Sequence, residues 1–451
     1  MNSAIDPTRV AELNVREEAA YMATRPKGIA MWERAKRSMP NGVPMSWLRN
    51  SYQPVPMFVA EGAGSRFRDV DGHEYVDFNI ADMSMFTGYA PKPVVLAVSR
   101  AVVAGSQFML PNEDSIWVAE ELQRRYGLPK WQFTLSATGA NTEAIRVART
   151  ATGRERVLFF DGHYHGHFDE ALVTLSDGVL VADEEGLPQD VTSRSVIAPF
   201  NHVEALIRML ADRSIAAVVT EPALTNNVGL VMPDSGFHAV LRTATREAGT
   251  LLIIDETHTQ VVGPGGLSAR WGLEPDFVTI GKSIAAGIPL GAYGMTERLA
   301  EVLERPGGRD DPKALVATGG TLFGNPLSMA AAKAAMGEVL TPAAYKTSQD
   351  HGAQLADGLT RLVGAAGLPW SVHRFWPRSG LSFTSELPRS GAAALAAIDV
   401  PLRRLSRVYL ANRGVWDAIV GAGPTCSVAT TDADVDQYLG AFAELLTELH
   451  R

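Results

Sequence analysis

The sequence predicts an α/β protein with a large domain built on a mostly parallel sheet and a smaller α+β domain. Three observations carry this. From about residue 95 short apolar runs alternate with helical stretches, and strands that alternate with helices imply a mostly parallel sheet covered on both faces. The length, 451 residues, is about three times a usual ~150-residue domain, which suits one large domain and one smaller one. After Asn325-Pro326 the composition changes through an alanine-rich run.

In chain order, residues 5–40 are polar and helix-prone, and Pro40 with Asn41-Gly42 ends that N-terminal arm. Residues 57–78 carry alternating apolar positions around an Asp71-Gly72 turn, the pattern of a hairpin. Strands are expected at 131–135 (WQFTL), 156–160 (RVLFF), 216–220 (AAVVT), 251–255 (LLIID) and 277–280 (FVTI). A long helix is expected over 327–340, and the alanines of 391–397 read as a helix start. The expected organisation is residues 1–75 as an arm and hairpin belonging to the small domain, 76–335 as the large domain, and 336–451 as the small domain.

The formal charge of −9 and the lack of a Lys/Arg run argue against nucleic-acid and anionic-membrane partners and favour a small-molecule substrate. One cysteine, Cys426, makes neither an internal disulfide nor a multi-thiolate metal site. The first twenty residues have no apolar signal core, and no apolar run reaches the ~18 residues of a membrane helix, so the cytoplasm is the expected compartment.

Four features follow expected strands, where a parallel sheet places its ligands. The apolar strand 251–254 ends in Asp255, followed by Glu256, Thr257 and His258. A carboxylate there serves as a helix cap, as a magnesium ligand, or as the partner of a protonated ring nitrogen that draws electrons from a carbanion. The strand 277–280 leads into Gly281, Lys282 and Ser283. A lysine between small residues can reach a bound aldehyde and form an imine. The alternative, a phosphate loop, lacks its first glycine because position 276 is Asp. Ser136, Ala137, Thr138 and Gly139 open a helix, so they form either a phosphate cup of hydroxyls and free N–H groups or an ordinary capped helix. Tyr164 lies among His163, His165 and His167 in a glycine-broken loop, which reads as a ring stacked on a cofactor or as a metal cluster, the latter lacking a carboxylate or thiolate at helical spacing.

These blocks, in this order, resemble the class III aminotransferases of fold type I, nearest the glutamate-1-semialdehyde 2,1-aminomutase branch. The matching stretches are 69–77 (DVDGHEYVD), 144–149 (AIRVAR), 164–167 (YHGH), 253–256 (IIDE), 281–282 (GK), 288–294 (IPLGAYG) and 320–326 (GTLFGNP). The likeness runs from about residue 30 to the end and is strong between about 64 and 335. It implies pyridoxal 5'-phosphate as cofactor, Lys282 as Schiff-base lysine and proton shuttle, and Asp255 as partner of the pyridinium nitrogen. It places Ser136, Ala137 and Thr138 on the phosphate, Tyr164 on one ring face and Thr257, where the family has valine, on the other. His258 falls near the ring's phenolic oxygen, and Asn227 matches an asparagine after the Glu221-Pro222 pair, with Asn226 the alternative because one residue is inserted. Thr321 would reach the phosphate of a neighbouring subunit, which implies a homodimer with shared sites. No metal is implied.

The substrate side departs from the aminomutase branch. Its acidic gate residue has no counterpart in 418–427 (AIVGAGPTCS), and its Ser-Trp-Gly pattern becomes Ala81, Asp82 and Met83. Arg49, beside Trp47 and Leu48, is the candidate carboxylate anchor, shifted by about one position. The leading expectation is therefore an aminotransferase (transaminase) moving an amino group between a small amino acid or amine and a keto acid or aldehyde. The alternative is a lyase or aminomutase acting on a small polar amino compound. A non-catalytic cofactor-binding protein is disfavoured by the intact lysine and aspartate.

Overall fold

The structure, a computed structural model, describes residues 5–50, 53–305, 316, 318–418 and 421–450. The chain divides into two compact units. One comprises Met1–Pro91, Lys346–Leu387 and Ala397–Arg451, the other Lys92–Tyr345 and Pro388–Ala396.

The strands follow in chain order. β1 (Val59–Ala63), β2 (Arg66–Asp69) and β3 (Glu74–Asp77) come first, then β4 (Lys130–Thr134), β5 (Arg156–Phe160), β6 (Val173–Ser176), β7 (Val179–Ala182) and β8 (Ser195–Ala198). β9 (Ile215–Thr220), β10 (Leu251–Asp255), β11 (Phe277–Ile280) and β12 (Gly291–Met295) precede β13 (Ser371–Phe375), β14 (Arg378–Ser382) and β15 (Val415–Trp416).

The larger unit is built on a seven-stranded sheet in the order β4-β12-β11-β10-β9-β5-β8. β12 is antiparallel to both neighbours and the other pairings are parallel, so six strands point one way. The expected strands all occur. Their runs are apolar throughout because each face has its own core. Val157, Phe159, Ala217, Val219, Leu251, Ile253 and Phe277 enter one core with the helix Ala137–Thr152. Leu158, Phe160, Val218, Leu252 and Ile254 enter the other with Phe237 and Leu241. This is the period of two that strand geometry imposes. Asp255 pairs in register with Thr279, which sets the carboxyl ends of β10 and β11 side by side.

Sequence reasoning did not anticipate β8 and β12. β12 needs its glycines, since a Cβ on Gly291 would lie 2.2 Å from the Ser136 carbonyl oxygen and one on Gly294 2.5 Å from the Trp131 ring. The helix expected over 327–340 is α-helical over Pro326–Ala334 and continues as a π-helical turn over Ala335–Val339. Residues 391–396 form a short helix of the larger unit, held by the Asp161 carboxylate, which accepts from Ala392 N at 3.0 Å.

In the other unit β1, β2, β3 and β15 form a sheet, with β1–β2 and β2–β3 antiparallel and β15 parallel to β3. The expected arm is two helices, Pro7–Ala23 and Pro26–Ala35. The turn residue Asp71 caps the second, accepting from Lys27 N at 2.8 Å and Gly28 N at 2.9 Å. After β3, four successive non-glycine residues, Ile80, Ala81, Asp82 and Met83, adopt positive φ of 43°, 48°, 51° and 69°. The buried Asp77 holds the start of this left-handed run. Its carboxylate accepts from Asn79 N and Ile80 N, both at 2.8 Å, and from the Tyr89 hydroxyl at 2.6 Å. Among the described residues no helix is long and apolar enough to cross a membrane.

Candidate cofactor site

Asp255, at the end of β10, is buried and its carboxylate is held from three sides. Oδ2 accepts from Asn141 Nδ2 at 2.9 Å and faces His165 Nδ1 at 2.9 Å, while Oδ1 accepts from Thr257 N at 3.0 Å. Burial pushes its pKa up, but the hydrogen bond and charge of His165, with Thr257 and Asn141, outweigh burial and hold it below the ordinary value. The adjacent Glu256 goes the other way. It accepts from Thr259 Oγ1, Leu267 N and Ser268 N, yet burial dominates and raises its pKa. Neighbouring carboxylates pushed in opposite directions at a strand end mark a candidate functional site.

Asn141 lies one turn into the helix Ala137–Thr152. Its Oδ1 accepts from Thr279 Oγ1 at 2.6 Å and its Nδ2 also donates to the His165 carbonyl at 2.8 Å, which fixes the amide's orientation. Ser136 caps this helix through its Oγ, which accepts from Gly139 N at 3.1 Å. The first N–H groups of the helix, at Ala137 and Thr138, have no carbonyl four residues back and suit an anion, with the helix dipole adding to the attraction. Ser136 is exposed and Ala137 and Thr138 are half-buried, so the helix start is open to a ligand.

Two glycines draw neighbouring loops onto this start. A Cβ on Gly281 would lie 2.9 Å from Ala137 N, and one on Gly166 2.3 Å from Thr138 Oγ1. Lys282 follows Gly281 directly, half-buried, with φ of 53°. Gln260 ties the loops together, its Nε2 donating to the carbonyls of Thr257 at 2.9 Å and Gly281 at 2.8 Å. One cluster thus gathers Lys282, Asp255, Thr257 and the residues 136–138.

The histidines divide. His163 faces the carbonyls of Phe160 at 2.8 Å and Ala171 at 3.0 Å, and burial lowers its pKa to about 3. His165 turns to Asp255. Among the described residues no three His, Cys, Asp or Glu side chains group as a metal site. Tyr164 is exposed and His258 is buried. Asn227 is exposed whereas Asn226 is buried, so the inserted residue leaves the alternative asparagine on the inside.

Thr321 is exposed, and its carbonyl accepts from Gln107 Nε2. It lines a groove of about 620 Å³ with Gln107, Met109, Leu110, Ile116 and Phe323, apart from the Lys282 cluster. Arg49, Trp47 and Asp82 belong to the other unit. There Arg49 lies 5.3 Å from the Trp32 ring centroid, Trp47 is exposed and Asp82 half-buried. Of the stretch 418–427, residues 419 and 420 lie outside the described residues.

Sequence reasoning assigned no role to Asn141 and His165 at Asp255, nor to Gln260 between the Thr257 and Gly281 carbonyls. The only signal for them was general, since a buried carboxylate at a strand end requires donors.

This fold and cluster define an enzyme of the fold type I class that uses pyridoxal 5'-phosphate. The profile of the aminotransferase class-III family matches residues 48–372, and the chain belongs to that family. It is 36% identical over 401 residues to a glutamate-1-semialdehyde 2,1-aminomutase of Anaeromyxobacter sp. (strain Fw109-5), covering 86% of this chain and 91% of that protein. The crystal structure of a glutamate-1-semialdehyde-aminomutase from Pseudomonas aeruginosa PAO1 superposes with a TM-score of 0.94, 38% identity and 99% of each chain covered. A variant of that protein in complex with PMP gives 0.94 and 37%, again over 99% of each chain. An omega-transaminase from Sphaerobacter thermophilus gives 0.86 and 30% identity, over 95% of this chain and 100% of the other. The likeness to the proteins named as aminomutases is stronger than that to the omega-transaminase, and so favours the alternative expectation, a lyase or aminomutase, over the leading one.

The residues fit the cofactor. Among the described residues the buried Asp255 carboxylate is held in its charged form, as the partner of a cationic ring nitrogen must be, and Nε2 of its neighbour His165 is buried without a protein partner.

Proposed function

We propose that the chain is an aminomutase that moves the amino group of a small amino compound to a neighbouring carbonyl carbon. The observation that carries this is the Lys282–Asp255 cluster in a chain that is 36% identical to, and superposes at 0.94 on, proteins named for that reaction. The net change is an isomerisation: nitrogen and oxygen exchange adjacent carbons, and no oxidant, reductant or second substrate is consumed.

Pyridoxal 5'-phosphate, when bound, supplies an aldehyde with which amines condense and a ring that takes up electrons from the adjoining carbon. In this reading Lys282 is the residue whose ε-amine would hold that aldehyde, and the same amine would move the proton between the two neighbouring substrate carbons. Asp255 would keep the ring nitrogen protonated. The N–H groups of Ala137 and Thr138, with the Ser136 and Thr138 hydroxyls, would hold the phosphate. Tyr164, Thr257, His258 and one of Asn226 and Asn227 would hold the ring. Arg49, Trp47 and Asp82 are the proposed substrate-binding residues.

We further propose a cytoplasmic homodimer in which Thr321 serves the phosphate site of the second copy. Supporting it, Phe108, Met109, Leu110, Ile116 and Leu322 expose 51–71% of their surface near Thr321.

One observation favours a second reading, transamination. The acidic gate residue of the aminomutase branch is missing from 418–427, and Ala81, Asp82 and Met83 replace its Ser-Trp-Gly pattern. Glutamate-1-semialdehyde and other α-amino aldehydes given to the purified holoenzyme separate the readings. The aminomutase relocates the amino group with no keto acid added and no ammonia released. Turnover that requires stoichiometric keto acid replaces this reading with transamination, and ammonia release replaces it with elimination.

A further inference from the structure

We propose that Gln260 is a positioning residue for Lys282: its carboxamide fixes the main chain from which the lysine amine reaches. The proposal rests on the reading of this cluster as the pyridoxal 5'-phosphate site.

Lys282 sits where the support of the sheet ends. The parallel pairing of β10 with β11 runs as far as Asp255 and Thr279, and the antiparallel pairing of β11 with β12 as far as Ile280 and Ala292. Gly281 follows the last paired residue, and Lys282 after it has φ of 53°. Left-handed backbone is strained for a residue with a Cβ and persists where its surroundings over-determine it. The residues that follow supply part of that constraint, since Ser283, Ile284 and Ala285 are buried and Ala286 N donates to the Ser283 carbonyl at 3.2 Å.

On the preceding side the constraint is a side chain. Gln260 Nε2 donates to the Gly281 carbonyl at 2.8 Å and to the Thr257 carbonyl at 2.9 Å. Carbonyls only accept, so the amide nitrogen and not its oxygen must face them, and both of its protons are used. The Gly281 carbonyl belongs to the peptide plane that precedes Lys282, so this bond sets the plane from which the lysine backbone turns. Gln260 is itself held: its N–H donates to the Glu256 carbonyl at 2.8 Å, Val261 and Val262 beside it are buried, and Gln260 is 3% exposed. A buried amide is unfavourable unless its protons find acceptors, and here the acceptors are the two main-chain segments that carry Thr257 and Lys282. The link therefore ties the strand end bearing Asp255 to the residue beside the reacting amine.

Condensation of the Lys282 amine with an aldehyde forms one C=N bond and releases one water, and it requires the amine to arrive at the carbonyl carbon. Pyridoxamine 5'-phosphate, already an amine, binds without that step. A misplaced main chain at 282 penalises the first and spares the second.

The test compares the dissociation constants of pyridoxal and pyridoxamine 5'-phosphate in wild type, Gln260→Met, Lys282→Ala and the double variant. Borohydride trapping with mass measurement reads the lysine bond, and thermal melts of the apo proteins run alongside. Gln260→Met keeps the length and removes both donors. It is expected to weaken retention of pyridoxal 5'-phosphate about 10- to 100-fold, the range for two neutral hydrogen bonds, while pyridoxamine 5'-phosphate changes by no more than about twofold. In the Lys282→Ala background the substitution changes neither by more than about twofold. A purely structural role would weaken both compounds equally and in both backgrounds; that result, or no loss for either, overturns the proposal. If Gln260→Met does not fold, Gln260→Glu, which keeps the shape and loses the donors at neutral pH, decides by the same criterion. Wild-type protein that takes up neither compound, or in which borohydride fixes nothing on Lys282, overturns the proposed function itself. Uptake of both with no split between them in the variant overturns only the role of Gln260.

Discussion

Replacing Gly166 with alanine tests whether the loop carrying Tyr164 and His165 is held against the helix start by close backbone contact. Gly166 has φ of +106°, and its added Cβ would lie 2.3 Å from Thr138 Oγ1 and 2.8 Å from Thr138 Cα. The hydroxyl can rotate away, but the Cα belongs to the first turn of the helix Ala137–Thr152 and cannot. Left-handed backbone for alanine costs about 1–2 kcal/mol, and forced overlap in a packed region about 1–3 kcal/mol more. The sum, about 2–5 kcal/mol, corresponds to a melting temperature lower by roughly 7–14 °C at the middle of that range, for a domain of ~250 residues. The displaced loop also loses the bond from His167 N to Thr138 Oγ1, at 3.3 Å, so cofactor retention falls with stability. Gly178→Ala is the control, since its φ is +78° with nothing within 4 Å, and it should show the backbone contribution alone. Calorimetry of apo and loaded protein measures both effects. A Gly166→Ala protein that melts within about 2 °C of wild type and keeps its cofactor would refute the reasoning.

Lys282→Ala should abolish the near-visible absorbance of covalently held cofactor while apo melting stays within a few degrees, and survival of that band would remove the lysine from its assigned role. Burial raises the Asp77 pKa from 3.8 to about 6, so the folded state binds this proton more tightly than the unfolded chain. Its contribution is therefore full below about pH 4 and is lost as pH rises through about 6, by about 3 kcal/mol. Asp77→Asn removes that loss, and urea unfolding at pH 4 and pH 7.5 should show the gap between variant and wild type moving by about that amount in the variant's favour; a constant gap would contradict the assignment. Met109→Asp, on an exposed apolar surface, should convert a wild-type dimer to monomer in sedimentation, and a wild type already monomeric would withdraw the dimer proposal.

Much of this architecture is legible in the sequence, for a physical reason. Strands buried on both faces need unbroken apolar runs, and RVLFF, AAVVT and LLIID supply them. β12 escapes because GAYGM is rich in glycine and alanine, a composition demanded by what presses on it rather than by strand propensity. The candidate chemical residues, Lys282 and Asp255, stand out because each lies at the end of a strand. Their supports do not, because Asn141 and His165 reach Asp255 across 114 and 90 residues of sequence, and no local pattern encodes such a pairing. The left-handed run at 80–83 is equally hidden, since none of its residues is the glycine that usually announces that conformation.

The single reversed strand of the large sheet bears on how the amine at position 282 can travel. β11 ends at Ile280 and β12 begins at Gly291, and the two lie side by side, so the intervening ten residues are a tethered loop with both ends fastened to the same sheet. In the proposed reaction, the main chain at position 282 is anchored close to the sheet, and rotations along the lysine's own four methylenes supply the reach between one substrate carbon and the next.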